Sequence, residues 1–373
     1  MKFPFKNPLV NFVSVYACFL ALCGSLAIAS PTQSTKGKFI ITCFDMPDIH
    51  RGAGLAIVLQ TPDGHTYLID TGVGYPSTSD ASGWASNFNA GRDLIAPFLR
   101  QHNIKEIDGV AISHAHLDHY GGLLWLVDHF PIKMLYDSGY EYPGKVSPVW
   151  QDELGGYTKL RNVFKARGEY QEAHAGDKLD WGPLLDVEVL APPKKYFSEV
   201  HPDRYSPGDV PEHYLVNSNS LDLRIRYGKV VFLFPGDIQK GQQVESLLPS
   251  VPPEKLRADI LIAPGHGIDT AQTPEFAAAV RPKVVIASLT TPFVKGTTAS
   301  KIYGQVGAKV YITALQGWIR VICDGKHYKV ETERTVQPHI SNNSRPKPYL
   351  RGILGADESL SIPSKAGSKT LEG

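Results

Sequence analysis

Ser113-His114-Ala115-His116-Leu117-Asp118-His119-Tyr120-Gly121-Gly122 gathers three imidazoles and a carboxylate into one short run. On a helix His114 and His116 would point in nearly opposite directions, whereas side chains two apart in an extended loop project the same way. An extended loop therefore aims His114, His116 and Asp118 together. His119 follows where the chain must turn into the helix signalled by Leu123, Leu124 and Leu126, and Gly121 and Gly122 permit a close backbone approach there. Ile107 to Ser113 reads as a strand, which puts the loop at the end of a core element. So many imidazoles and a carboxylate in such a place are costly unless a cation neutralises and orders them, and this favours a metal site over a solvated histidine-rich turn.

Working outward, Phe39 to Phe44 is a buried-strand run, and Leu55 to Gln60, Pro62-Asp63-Gly64 and Tyr67 to Ile69 form a hairpin pattern. Leu94, Ile95, Phe98 and Leu99 recur at helical spacing, and residues 150 to 168 look helical. Leu185 to Leu190 is a strand, and Leu221 to Tyr227 with Val230 to Phe234 is a hairpin across Gly228-Lys229. Strand and helix then alternate: Asp259 to Ala263, Pro274 to Val280, Val284 to Ser288, Ser300 to Val306, Val310 to Thr313. Early hairpins and late alternation predict two sheets with helices outside them.

The 373 residues are 42% hydrophobic and 20% charged with 34 Gly and 28 Pro, a globular profile that excludes a disordered or collagen-like chain. Lys plus Arg total 38 against 37 for Asp plus Glu, so there is no global positive excess to hold a nucleic acid. At the N-terminus, Lys2 and Lys6, an apolar run from Phe12 to Ala29 and the Ala27-Ile28-Ala29 site predict a signal peptide over 1–29, with the mature chain starting near Ser30. A membrane anchor is the alternative, because the run approaches bilayer-spanning length. Leu22 argues against a lipid anchor on Cys23. No other stretch predicts a membrane span, so the mature chain is expected to be secreted or periplasmic. Residues 30–337 are then one hydrolase-like domain, and 338–373, rich in Ser, Asn, Pro and Lys, a disordered tail. The mature chain keeps Cys43 and Cys323, as either one disulfide or two buried thiols.

The histidine-rich segment resembles the signature of the metallo-β-lactamase superfamily, His-x-His-x-Asp-His. Asp70-Thr71-Gly72 is similar to the family's early Asp-x-Gly, Pro235-Gly236-Asp237 to the segment of the metal-bridging Asp, and Pro264-Gly265-His266-Gly267 to the late histidine. Asp137-Ser138-Gly139, Gly176-Asp177-Lys178-Leu179, Val189 to Pro193 and Asn219-Ser220-Leu221 add a resemblance to the soluble hydrolase domain of ComEC/Rec2-type competence proteins. It covers roughly residues 38 to 325. The multi-spanning channel of those proteins is absent from this sequence.

The resemblance implies an α/β four-layer αββα sandwich and two divalent metal ions, zinc or manganese. One ion would take His114 and His116, the other Asp118, His119 and His266, with Asp237 between them and Asp70 behind. Most superfamily members supply a third histidine to the first metal from the segment before the bridging Asp. Here Asn217-Ser218-Asn219-Ser220 stands in that region, and His213 is the nearest imidazole. Asn or Ser oxygen and water would then complete the first site, making it harder and leaving manganese as credible as zinc.

Two ions side by side activate a bridging hydroxide and hold the electrophilic oxygen of the substrate, with Asp118 as the catalytic, hydroxide-orienting group. The expected function is a secreted metal-dependent hydrolase, a phosphodiesterase or nuclease. Its substrate would be a small or polymeric phosphodiester, nucleic acid included, and no protein partner is expected. The alternatives are a class B β-lactamase-like hydrolase and a non-catalytic binding protein on the same fold.

Overall fold

Most positions of the central strands are buried on both faces, which requires that each sheet be covered twice, once by the other sheet and once by helices. The computed structural model describes residues 36–47, 54–74, 88–199 and 210–335, and from Thr35 onward the chain forms one compact unit. The expected signal peptide and the expected tail lie outside the described residues.

The strands are β1 (Phe39–Cys43), β2 (Ala56–Gln60), β3 (Thr66–Thr71), β4 (Gly109–Ala111), β5 (Leu135–Asp137), β6 (Tyr170–Glu172), β7 (Lys178–Leu179) and β8 (Leu185–Ala191). They continue as β9 (Asp222–Tyr227), β10 (Val230–Phe234), β11 (Ile260–Ile262), β12 (Val284–Ala287), β13 (Lys309–Ile312), β14 (Ile319–Cys323) and β15 (Tyr328–Thr332). One sheet runs β15-β14-β1-β2-β3-β4-β5-β6 and the other β13-β12-β11-β10-β9-β8-β7. Each is mixed. β1 to β3 are antiparallel and β3 to β6 parallel, while β10 to β13 are parallel and β10 to β8 antiparallel.

Alternation along each strand sorts the apolar side chains between layers. Phe39, Ile41, Ile57, Leu59, Tyr67 and Ile69 face a shared core with Val187, Leu223, Ile225, Phe232, Ile260 and Ile286 of the other sheet. Val58, Leu68 and Val110 face outward and are covered by Phe98 and Leu99 of helix Ala96–Gln101 and by Tyr157, Leu160 and Phe164 of helix Pro148–Arg167. Leu233, Leu261 and Val285 are covered by Phe276 and Val280 of helix Pro274–Val280 and by Tyr303 of helix Ala299–Gly304. Helix, sheet, sheet and helix make the four-layer αββα sandwich.

Both cysteines are free and buried. Cys43 lies opposite Ile319 and Cys323 opposite Phe39, so the register keeps them at opposite ends of the β1–β14 ladder. Burial pushes the Cys43 thiol up to about 12 and that of Cys323 to about 11, which fits small apolar fillers and not a disulfide.

Asp137, at the end of β5, is a hub of the scaffold. Its Oδ2 accepts from Arg161 Nε at 2.6 Å and Tyr157 Oη at 2.7 Å, and its Oδ1 from Tyr170 Oη at 2.7 Å and the Gly139 amide at 2.8 Å. Every partner is a donor, so the buried carboxylate is fully compensated and ties β5 and β6 to helix Pro148–Arg167. The Asp137-Ser138-Gly139 motif is therefore architectural.

Candidate metal centre

Four strand ends meet at one edge of the sandwich. β4 runs into the histidine loop, β3 ends with Asp70 and Thr71, β10 is followed by Asp237 and β11 by His266. These are carboxyl ends of parallel strands, where open sheets place their ligands. The backbone is bent to reach the site: Asp70 (φ 54°) and His266 (φ 58°) both lie in the left-handed region, which costs a side-chain-bearing residue on the order of 1–3 kcal/mol. Gly121 and Gly122 sit where a Cβ would collide with the backbone of Gly74 and Thr71 respectively, so the loop can seat only with glycine there.

His116 is extended (φ −102°, ψ 143°), but Leu117–Tyr120 form a single helical turn after it, so Asp118 is presented by that turn and not, as the sequence suggested, by one extended run with His114 and His116. Thr71 clamps that turn, its hydroxyl donating to the His119 carbonyl at 3.0 Å and accepting from the Leu123 amide at 2.9 Å. From the helix Pro148–Arg167, Glu153 Oε1 accepts the Leu117 amide at 2.5 Å. Burial pushes the Glu153 carboxyl up to about 8.

Asp70, fully buried, organises the centre from behind. Its Oδ1 accepts the Ser113 amide at 2.7 Å, and its Oδ2 accepts the Ser113 hydroxyl at 2.8 Å and His119 Nδ1 at 2.7 Å. Because Ser113 Oγ spends its proton on Asp70, it accepts from His114 Nδ1 at 2.9 Å. Both imidazoles thus carry hydrogen on Nδ1 and present Nε2 forward, the arrangement a ligating histidine needs.

In front, His266 Nε2 lies 3.2 Å from His119 Nε2, 3.4 Å from Asp118 Oδ2 and 3.3 Å from Asp237 Oδ2. His119 Nε2 is 3.7 Å from Asp118 and 3.6 Å from Asp237. Two donor sets result, each with atoms within 4.8 Å of one another: His114, His119 and Asp237, and Asp118, His119 and His266. His116 stands outside both sets, its ring 4.7 Å from that of His114.

Charge follows this geometry. Burial, and after it the neighbouring His119, holds His114 well below the usual imidazole range, and burial followed by His213 does the same for His116. For His119 and His266 burial pulls the same way, but Asp237 and Asp118 overcome it, raising His119 and pushing His266 up to about 9. Burial opposes ionisation of Asp118 and Asp237, and the two cationic imidazoles outweigh it, so both carboxyls sit below their ordinary range.

Of the six residues singled out in the sequence, His114, Asp118, His119, Asp237 and His266 enter these donor sets, and His116 stands beside them against His114. Their donor chemistry fits divalent metal ions. Nε2 of both His114 and His116 is buried without a hydrogen-bond partner, and the two carboxylates supply the negative charge. A cation here must displace the protons that His119 and His266 hold on Nε2. Metal affinity of the metal-free protein should therefore rise with pH up to about 9, by about tenfold per unit for each proton displaced. Competition titration with a chelator at a series of pH values measures this, and an affinity flat between pH 6 and 9 would refute it.

Of the oxygen donors expected from the 217–220 segment, Asn219 and Ser220 are spent on the protein, while Asn217 Oδ1 and Ser218 Oγ are buried without a hydrogen-bond partner among the described residues. Asn219 spends its amide on backbone, Oδ1 accepting from Phe197 N and Nδ2 donating to the Phe197 and Leu215 carbonyls, each at 2.9 Å. Ser220 Oγ donates to the Asn217 carbonyl at 2.7 Å and accepts the Asp237 amide at 3.0 Å, which fixes the turn carrying Asp237. The reading of the sequence missed the orienting roles of Ser113 and Glu153, and it took Ser220 for a candidate ligand where the structure makes it a support of Asp237. Ser113 adjoins the motif and was within reach of a sequence argument, whereas the other two come from distant segments.

The chain matches the metallo-β-lactamase superfamily over residues 51–290. It is 27% identical over 263 residues to ComE operon protein 3 of Bacillus subtilis, covering 69% of this chain and 29% of that protein, so it spans less than a third of that relative's length. Among solved structures it is similar to CmlA, a diiron β-hydroxylase from Streptomyces venezuelae, with a TM-score of 0.42 and 15% identity over 73% of this chain and 52% of that one. It is also similar to Igni18, a metallo hydrolase from Ignicoccus hospitalis, with a TM-score of 0.38 and 15% identity over 75% of this chain and 98% of that one. The chain belongs to the metallo-β-lactamase superfamily, most of whose members are metal-dependent hydrolases.

Proposed function

We propose that this protein is an exported hydrolase that uses two divalent ions, zinc or manganese, to cleave phosphodiesters. The observation that carries the reading is that Asp237 is grouped with His114 on one side and lies 3.3 Å from His266 on the other, so that its carboxylate can be shared by two adjacent ions, which would hold both the attacking and the leaving oxygen of an in-line displacement at phosphorus. The chain's own groups supply the rest. Asp118, with a third of its side chain exposed, is the carboxylate that meets solvent, so it is placed to accept a proton from the incoming water and to orient it. Asp70 and Ser113 keep the imidazoles in the ligating tautomer, and Glu153 and Thr71 hold the loop that carries Asp118.

The resemblance of the 137–139, 176–179 and 219–221 segments to ComEC/Rec2-type hydrolase domains supports a phosphodiester over a lactam, and nucleic acid is then a polymeric substrate of the same chemistry. Export rests on the Phe12 to Ala29 run and its Ala-x-Ala end. The test uses secreted or periplasmic protein whose intact mass shows a start near Ser30. It is assayed with bis(p-nitrophenyl) phosphate and with a chromogenic cephalosporin, before and after chelation and on return of zinc or manganese. Phosphodiester cleavage that chelation removes and metal restores is the expected result. Efficient cephalosporin turnover with no phosphodiester cleavage would reject the proposal.

A further inference from the structure

We propose that the cavity beside the histidine loop binds the nucleobase of a nucleotide-bearing phosphodiester. This rests on the phosphodiesterase reading above and names the group that the substrate carries next to the bond cleaved. The cavity, about 430 Å³ and within the size range of small-molecule sites, lies between the segment after β5, helix Pro148–Arg167 and helix Pro211–Ser218. Its wall includes Val216 and Ala115, the residue between His114 and His116. A narrow pocket shares Ala115, Tyr140 and Val216 with it and is lined further in by His114, so an occupant of the cavity abuts the metal centre.

The walls are aromatic, and the charges fall into two zones. Tyr140, Tyr142 and Tyr157 line the cavity together with Val146 and Leu154. At its buried end Arg161 is 2% exposed and is spent on the protein, Nε donating to Asp137 at 2.6 Å, Nη1 to Glu141 at 3.0 Å and Nη2 to the Tyr140 carbonyl at 3.2 Å. That end is therefore electrically compensated. At the exposed end Lys145 has no ion pair or hydrogen bond among the described residues, and the side-chain amide of Gln151 has no hydrogen bond there either. A neutral, flat ring with polar edges fits the first zone, and an anionic sugar-phosphate fits the second. Stacking on tyrosine rings accepts any base, because every base has a π-face.

A second observation points to an occupant. Helix Pro148–Arg167 carries Gly155 and Gly156 in its interior, and each costs helix stability against alanine. Packing accounts for one of them: a Cβ on Gly156 would stand 3.0 Å from Tyr120 Oη, which donates to the Glu153 carbonyl at 2.6 Å. It does not account for the other. Gly155 lines the cavity, and a Cβ there would meet nothing within 4 Å among the described residues. Glycine at 155 keeps volume open where no contact of the protein requires it.

Calorimetric titration of the metal-loaded protein with adenosine 5′-monophosphate and with ribose 5-phosphate tests this without turnover, because the two probes differ only in the base. Wild-type protein should bind the nucleotide at least about tenfold more tightly than the sugar phosphate. Gly155→Leu puts a side chain into the cavity and should abolish that difference by weakening the nucleotide alone. Gly155→Ala adds a Cβ that touches nothing, so it should bind as the wild type does. Tyr142→Ala removes a half-buried ring from the wall and should weaken the nucleotide about fivefold or more while leaving the sugar phosphate unchanged. Circular dichroism and metal content that match the wild type show that each variant is folded. Equal affinity for the two probes in the wild type, or wild-type affinity for the nucleotide in Gly155→Leu, would overturn the proposal. Base-dependent binding by a protein that cleaves no phosphodiester would leave this site standing and reject the phosphodiesterase reading.

Discussion

Alanine at Asp118 should lower phosphodiester hydrolysis by at least about a thousandfold while the protein stays folded. The carboxylate does two things that alanine cannot. Its Oδ2 lies 3.4 Å from His266 Nε2 and 3.7 Å from His119 Nε2, so it belongs to the donor set of the second ion. It is also the site's carboxylate most open to water, so it is placed to take a proton from the attacking nucleophile. Folding does not depend on it, because one third of the side chain is already exposed and the loop is held by Thr71 and Glu153 through backbone groups. Elemental analysis should show the second ion weakened, and circular dichroism should match the wild type. A variant with full metal content and full rate would mean that the loop is not the catalytic centre.

The second large effect is expected at Asp70, and it is of a different kind. Asp70→Ala removes one carboxylate from behind the site and strands three donors in the interior: the Ser113 amide, the Ser113 hydroxyl and His119 Nδ1. Breaking a buried pair of this sort costs about 3–5 kcal/mol, against about 1–3 kcal/mol for an ordinary unsatisfied buried group. Alanine would also inherit a left-handed backbone conformation (φ 54°) that it adopts less readily than aspartate. The loss should therefore appear in urea unfolding of the metal-free protein, where no ligand effect can mimic it. Metal affinity should fall as well, by about 10–100-fold, because His114 and His119 lose the hydrogen bonds that set their tautomers. Asp70→Asn separates the two contributions: it keeps the size and one acceptor and should recover part of the stability but less of the metal affinity. Unfolding of Asp70→Ala at the wild-type urea midpoint would contradict the role given to this residue.

How much of this was legible beforehand can be read residue by residue. The hairpins of β1 to β3 and of β9 and β10, and the alternation from β11 to β13, follow from local periodicity and turn residues, and their boundaries in the structure agree closely with that reading. The run around Cys323 reads as a strand and is β14, whereas β5, β6, β7 and β15 did not stand out. Three of them are two or three residues long, too short for periodicity to register. The helix Pro211–Ser218 also escaped, because its apolar residues are interrupted by Glu212, His213, Asn217 and Ser218, which are polar for reasons outside the helix. Asn219 was weighed as an oxygen ligand on its type alone, and only the positions of Phe197 and Leu215 show that its amide is consumed by backbone.

What the sequence determined by itself is the chemistry of the loop at 114–119 and its position at a strand end. Three imidazoles and a carboxylate with alternate spacing cannot be buried without a cation, and that constraint is local. What only the tertiary structure decided is how far the donors stand from one another and which distant residues orient them. Asp237 and His266, named from their motifs, come from the other sheet at distances set by packing, and Glu153 and Trp150 come from an outer helix. The fate of the cysteines belongs here too, since the β1–β14 register alone sets Cys43 opposite Ile319 and Cys323 opposite Phe39. The physical reason is the same in each case. Side-chain type and spacing act within one element, whereas contacts across the sandwich are fixed by how the two sheets and their helices pack, and no local pattern encodes that packing.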